Sequence, residues 1–218
     1  MTTFIALIST RDQYNALFSV YVPIAAGVFV IVVLVVFGAV LRYRGRAPQA
    51  AARWSESNRL EAGYAAFLVF VVAFLLFLTF SAEHRVDTVA NRERPTLTVD
   101  VIGAKWEWEF DYPRYGIVRR SGTVGRQPLV VPAGQAIRFN LTSLDVIHSF
   151  WIPELEYKHD LIPGSVQHQV LTFTRTGLFS GQCAEFCGLR HADMVFSVRV
   201  VTPSVFSVWA HSKGQMTF

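Results

Sequence analysis

Two runs without a single charged residue dominate the first third of the chain, Gln13 to Leu41 with 29 residues and Ala62 to Ala82 with 21. Each can cross a bilayer. At about 1.5 Å per residue the first is roughly 43 Å long against a hydrocarbon core of roughly 30 Å, so it tilts or extends into the interface. Pro23 sits near its start, where the first turns of a helix tolerate proline. The length of both runs argues against two core helices of a soluble protein. The pattern predicts a helical hairpin over residues 1–82, with helices at about 13–41 and 62–82.

Beyond it the periodicity changes. Glu83 to Pro95 mixes charges without apolar periodicity and reads as a polar connector. From Thr96 the chain alternates with period two. Leu97 to Ile102 alternates, Lys105 to Asp111 puts Trp106, Trp108 and Phe110 on one side, and Ala136 to Thr142 turns Ile137, Phe139 and Leu141 inward. Further strands are expected at Leu129–Val131, Ile147–Ile152, Val166–Thr174 and Met194–Val201. Pro128, Pro132, Gly134, Pro153, Pro163, Gly164 and Gly177 mark turns. Short strands at this spacing predict a β-sandwich or barrel over 96–218, giving a membrane-anchored all-β protein. Ser212 to Phe218 reads as a loosely held end.

Charge fixes the expected orientation. Arg42, Arg44, Arg46, Arg53 and Arg59 face one acid, Glu56, in the connecting loop, and positive loops stay inside. The N-terminus and the C-terminal domain are then expected on the outer face. The first run lacks a basic leader and a small-residue cleavage site, so it is read as a retained anchor rather than a signal peptide. The chain is 52% hydrophobic with formal charge +4, and 17 of its 20 basic residues are arginine. From Asn91 onward there are 13 bases and 11 acids, without the basic patch that nucleic-acid binding requires.

The chemistry concentrates in Cys183-Ala184-Glu185-Phe186-Cys187-Gly188-Leu189-Arg190-His191-Ala192-Asp193-Met194, which holds both cysteines of the chain. Thiolate, imidazole and thioether are ligands that copper prefers, whereas calcium or magnesium takes carboxylates and carbonyls. A mononuclear blue-copper site uses one cysteine, so the second sulfur suggests two metals. Three plainer readings compete. The pair could be a disulfide on an oxidising membrane face. A zinc site of two cysteines and two histidines is another, although no second short-spaced ligand pair is present. Met194 could equally be the first core residue of its strand.

Thirty-five residues before Cys183 lies His148, in Asp145-Val146-Ile147-His148-Ser149-Phe150-Trp151-Ile152-Pro153. With the cysteine loop, the aromatic stretch Trp106-Glu107-Trp108-Glu109-Phe110 and Lys158-His159-Asp160-Leu161-Ile162-Pro163-Gly164, the chain resembles subunit II of heme-copper cytochrome c oxidase with its CuA centre. The resemblance covers nearly the whole chain. It implies a cupredoxin-like Greek key and a binuclear copper centre. Cys183 and Cys187 would bridge the metals, His148 and His191 would cap one each, Met194 would be a weak axial ligand, and Glu185 would offer its main-chain carbonyl. It also implies a magnesium ion at the subunit I interface through Glu185, and electron transfer from cytochrome c or a similar soluble donor by way of Trp106. Subunits I and III and the lipid bilayer are the implied partners, in the cell membrane of a prokaryote.

Several residues fall outside that set. His84, His159, His168 and His211 match no ligand position. Trp108 reads as strand core. Glu107, Glu109 and Asp111 alternate with the aromatics, either as a solvated face or as a dock for a basic partner. Glu61 stands where related subunits carry a glutamate linked to a proton pathway, but Ala62-Gly63-Tyr64-Ala65-Ala66 departs from the family's pattern. Lys158 and Asp160 match a segment near the subunit boundary. A copper-free structural subunit of a quinol oxidase is the alternative, which a complete ligand set argues against. A CuA domain of nitrous oxide reductase would need a second, histidine-rich copper cluster. The lack of Cys-x-x-Cys-His excludes an attached c-type heme.

Overall fold

The computed structural model describes residues 10–45, 57–92 and 94–215. Gln13–Arg85 forms one compact unit, which holds most of helices α1 (Thr10–Tyr43) and α2 (Asn58–Arg92). Their apolar side chains are exposed all round, from Phe29 and Leu34 to Phe70 and Phe77. A helix apolar on every side and buried in no protein core belongs in lipid. Two spans qualify by length and composition, Asp12–Tyr43 and Asn58–Arg85. The Tyr21 hydroxyl clasps the pair, 2.8 Å from the Leu75 carbonyl and 2.6 Å from the Thr79 hydroxyl. In the sequence reading Glu83 to Pro95 is a connector, yet α2 runs on through Arg92. Charge alone does not end a helix, and neither glycine nor proline occurs between Gly63 and Pro95. Arg46, Arg53 and Glu56, half of the charge argument for orientation, lie outside the described residues.

The second unit is a two-sheet sandwich. Strands β1 (Leu97–Ala104), β2 (Glu107–Tyr112), β3 (Ile117–Gly122), β4 (Leu129–Pro132), β5 (Ala136–Ser143), β6 (His148–Ile152), β7 (Tyr157–Leu161), β8 (Gln167–Thr172), β9 (Gly177–Cys183) and β10 (Val195–Val201) form two five-stranded sheets. Their orders are β3-β2-β1-β5-β8 and β4-β10-β9-β6-β7. β1 runs parallel to β5 and β4 to β10, and the other pairs are antiparallel. This is a cupredoxin-like sandwich. Its core is aromatic: Trp108, Phe110, Phe139 and Phe150 are fully buried, and Phe150 stacks on Phe196 at 4.6 Å. Helix α3 (Pro203–His211), capped by the Thr202 side chain, buries Phe206 and Trp209.

Two sequence expectations change here. Trp106 is not in β2 but in the turn before it, so the inward series becomes Trp108, Phe110 and Tyr112. Three strands, β3, β7 and β9, are ones that the sequence reading lacks, and Gly177 opens the last of them. Gly181 within it is required by packing, because a Cβ there would lie 2.1 Å from the ring of Phe196.

Candidate metal centre

Three segments converge at one end of the sandwich. His148 opens β6, Cys183 closes β9, and Cys187, His191 and Met194 lie on the loop between β9 and β10. The loop is closed at its base by the Cys183 N–H donating to the Met194 carbonyl at 3.0 Å, and tied to β6 by the Ala184 N–H on the Ser149 carbonyl at 3.1 Å. Its tip turns at Gly188, whose φ of 115° suits glycine, and whose Cα faces the Trp106 indole. A one-turn 3-10 helix, His191–Asp193, then delivers Met194 to the core. Opposite the loop, a Cβ on Gly103 would come within 3.1 Å of the His148 ring, so glycine lets β1 lie flat against that imidazole.

The side-chain atoms of the expected ligand residues lie close to one another. Cys183 Sγ is 3.9 Å from Cys187 Sγ and 3.8 Å from His148 Nδ1. Cys187 Sγ is 3.5 Å from His191 Nδ1 and 3.8 Å from Met194 Sδ. The Glu185 carbonyl accepts from the Cys183 thiol at 3.3 Å. Both cysteines are free and buried, which removes the disulfide reading. Ligands held about 2.0–2.3 Å from one metal at near-tetrahedral angles lie about 3.5–3.8 Å from each other. The thiol-to-imidazole distances fall in that range, and the thiol pair lies just beyond it. His148, Cys183 and Cys187 are the group of three metal-competent side chains found among the described residues, with ligand atoms all within 4.8 Å.

Electrostatics make the pocket receptive to a cation. Burial pushes the Cys183 thiol up, but hydrogen bonds to His148 and to the backbone at Ser149 and Glu185 outweigh it and bring it down to about 7. Burial and the adjacent Cys183 push Cys187 the other way. Two thiolates at this separation repel, so both ionise together only when positive charge enters between them. The His148 imidazole loses by burial and gains more from Cys183 and Asp145, so its pKa is raised.

Asp145 is the functional residue that the sequence reading left without a role. Its Oδ1 is 2.8 Å from His148 Nε2, turning Nδ1 toward the sulfurs, and its Oδ2 accepts from the Lys105 N–H at 2.8 Å. Burial raises that carboxyl, but the Lys105 and Val146 N–H groups and His148 hold it below the ordinary carboxylate range. The signal was present in Asp-x-x-His, three residues apart. Trp108 also does more than fill the core: its Nε1–H donates to the Met194 carbonyl at 3.2 Å, and its ring meets His148 edge-on at 6.3 Å.

The remaining candidates lie elsewhere. Trp106 is half-buried against the loop tip, with Nε1 buried and unpartnered. His159 contacts the Asp160 carbonyl, His168 contacts Asn140 and His211 contacts the Ser207 carbonyl, none of them at the thiols. Glu61 occupies the first turn of α2, where a carboxylate complements the helix dipole. Lys158 is exposed and Asp160 half-buried on β7.

The chain is similar to proteins already known. A family model described as cytochrome c oxidase subunit II, periplasmic domain, matches residues 120–201. A probable cytochrome c oxidase subunit 2 of Streptomyces coelicolor is 33% identical over 182 residues, covering 66% of this chain and 56% of the relative. One of Rickettsia bellii is 25% identical over 214 residues, covering 91% of this chain and 78% of the relative. The crystal structure of the periplasmic domain of subunit II of cytochrome oxidase from Bradyrhizobium japonicum superposes with a TM-score of 0.52 at 32% identity, covering 55% of this chain and 94% of that one. The chain thus spans little more than half the length of its Streptomyces relative.

Proposed function

This chain belongs to the cytochrome c oxidase subunit II family, and on that premise we propose that its sandwich domain holds a binuclear copper centre of the CuA type. In this reading it takes electrons from cytochrome c or a similar soluble donor and hands them to heme in subunit I, where oxygen is reduced. Cys183, Cys187, His148, His191, Met194 and the Glu185 carbonyl are the proposed ligands. The observation that carries the proposal is the convergence of two free, buried thiols with two imidazole Nδ1 atoms and a thioether, all at ligand-to-ligand spacing. When bound, a thiolate-bridged copper pair supplies a one-electron carrier that changes little in geometry between its two states.

The residues around it divide the work. Asp145 holds the His148 tautomer, with Nε2–H donating outward. Met194 closes the inner side of the site, fixed through its own carbonyl by Trp108. Phe150, Phe196 and Trp108 keep water from the buried side. Trp106, with its indole against Gly188, is the proposed gateway for arriving electrons. The Glu185 carboxyl is left free by the use of its carbonyl, and is the proposed contact to magnesium at the subunit I boundary. The domain is proposed to face outward from a prokaryotic cell membrane, with subunits I and III as neighbours. Glu61 as part of a proton pathway stays a proposal as well.

The test is donor-driven oxygen uptake by the purified oxidase. Cys187→Ser should abolish uptake driven by cytochrome c while the subunits stay assembled. Full uptake driven by a quinol, unaffected by Cys187→Ser, would instead assign the chain to a copper-free structural role.

A further inference from the structure

Met194 lies one residue before β10 begins, and its side chain is fully buried with Sδ 3.8 Å from Cys187 Sγ. Its carbonyl is held from two sides. The Cys183 N–H donates to it at 3.0 Å from the end of β9, and the Trp108 Nε1–H donates to it at 3.2 Å from the opposite sheet. The next carbonyl is held in the same way. Ser121, buried and paired with Trp108 across β2 and β3, donates from Oγ to the Val195 carbonyl at 3.3 Å.

Resting on the copper reading, we propose that Trp108 and Ser121 are positioning residues. They form a two-point clamp from one sheet onto the root of β10 in the other, which fixes where the Met194 thioether sits beside Cys187 and so sets the reduction potential of the bound pair.

A buried indole N–H needs an acceptor in any core, so the bond from Trp108 taken alone says little. Two donors change that. They stand at paired positions on neighbouring strands and land on consecutive carbonyls, the first of which belongs to the proposed axial ligand. The clamp is itself held, because the Trp108 ring meets Phe196 at 5.3 Å and Phe150 at 5.8 Å, both edge-on. Thiolates and imidazoles bind copper strongly and define their own distances, whereas a weak thioether stays where the protein puts it. A small displacement of Met194 therefore changes how much density the sulfur donates, and the potential follows. Trp108 has a second route to the site, since its ring meets the His148 imidazole edge-on at 6.3 Å. The two routes predict different results when Met194 is removed.

The test is a double-mutant cycle on the full chain in detergent, reading copper content, the copper spectrum, the reduction potential and the melting temperature. Met194→Leu should shift the one-electron equilibrium constant about tenfold, or about 59 mV. Trp108→Phe, which keeps a ring and removes the N–H, should shift it in the same direction by about threefold, and Ser121→Ala by about twofold, with both coppers retained. Added to Met194→Leu, neither should move the potential further. Trp108→Phe should lower the melting temperature in either background, so the potential separates positioning from packing. Should Trp108→Phe fail to fold, Ser121→Ala and its double variant with Met194→Leu decide alone. An unchanged potential in the single variants would overturn the proposal. So would a shift that persists beside Met194→Leu, which would place the effect on His148. Loss of copper from Ser121→Ala would overturn it as well, since a clamp on the weak ligand leaves four strong donors in place. A wild-type chain that takes up no copper pair would instead contradict the reading on which the clamp rests.

Discussion

Asp145 Oδ1 lies 2.8 Å from His148 Nε2, and the same carboxylate accepts the Lys105 N–H through its other oxygen. One side chain thus holds a proposed copper ligand and the turn that carries Trp106. The ring nitrogen bound to Asp145 keeps its proton, which leaves Nδ1 as the lone-pair atom facing the sulfurs. Asp145→Ala should weaken copper binding about 10–100-fold by chelator competition, and Asp145→Asn, which keeps an acceptor, should weaken it less. Equal copper affinity in wild type and Asp145→Ala would show that the imidazole needs no such support.

The metal-free thiols should behave unequally. Cys183 is brought down to about 7 and Cys187 is pushed up, so alkylation followed by peptide mapping should mark Cys183 first. A group with a depressed folded pKa stabilises the fold above its unfolded value, and loses that contribution as pH falls through the folded one. Cys183 therefore withdraws support below about pH 7. Cys187, shifted upward, stabilises below its unfolded value and withdraws support as pH rises through its raised one. The melting temperature of the metal-free chain should pass through a maximum between these limits, and a monotonic profile would contradict the assignment.

Trp106 and Met194 should separate donor contact from copper assembly. Trp106→Leu removes no ligand, so copper content and spectrum should persist while reduction by a protein donor slows more than about tenfold. Met194→Leu should change the copper spectrum and potential and leave the donor association rate as it was. Its packing cost should stay below about 1.5 kcal/mol, because leucine has nearly the volume of methionine. Equal donor kinetics in wild type and Trp106→Leu would make that indole a packing residue.

Gly181→Ala should destabilise the domain with no change of ligand. Its Cβ would meet the Phe196 ring at 2.1 Å, and that ring is pinned by Phe150 at 4.6 Å and Trp108 at 5.3 Å. Overpacking of this kind costs about 1–3 kcal/mol, read as a lower melting temperature. An unchanged midpoint would mean that the aromatic stack yields.

How much of this the sequence reveals depends on which force decides each element. The membrane helices and the strands around Val99, Trp108 and Phe139 are set by hydrophobic period, and the chain spells that out. The end of α2 is not, since Glu83 to Arg92 contains nothing that breaks a helix, and Val86, Val89 and Ala90 are too few among its polar residues to mark one. β9 is hidden because Gly177 and Gly181 resemble turn residues, while Gly181 makes room for the Phe196 ring. The proposed ligands stand out in the sequence as a set, two cysteines, two histidines and a methionine at fixed spacing. Asp145 left a local signal in Asp-x-x-His, whereas its bond to the Lys105 N–H and the bond from Trp108 to the Met194 carbonyl depend on partners 40 and 86 residues away.

The most direct test of the copper assignment is metal content together with the electron paramagnetic resonance spectrum of the full chain in detergent. Two coppers per chain and a spectrum of one unpaired electron shared over both metals are the expected result, lost in either Cys183→Ser or Cys187→Ser. A single copper with the hyperfine pattern of one isolated nucleus in the wild-type chain would contradict it.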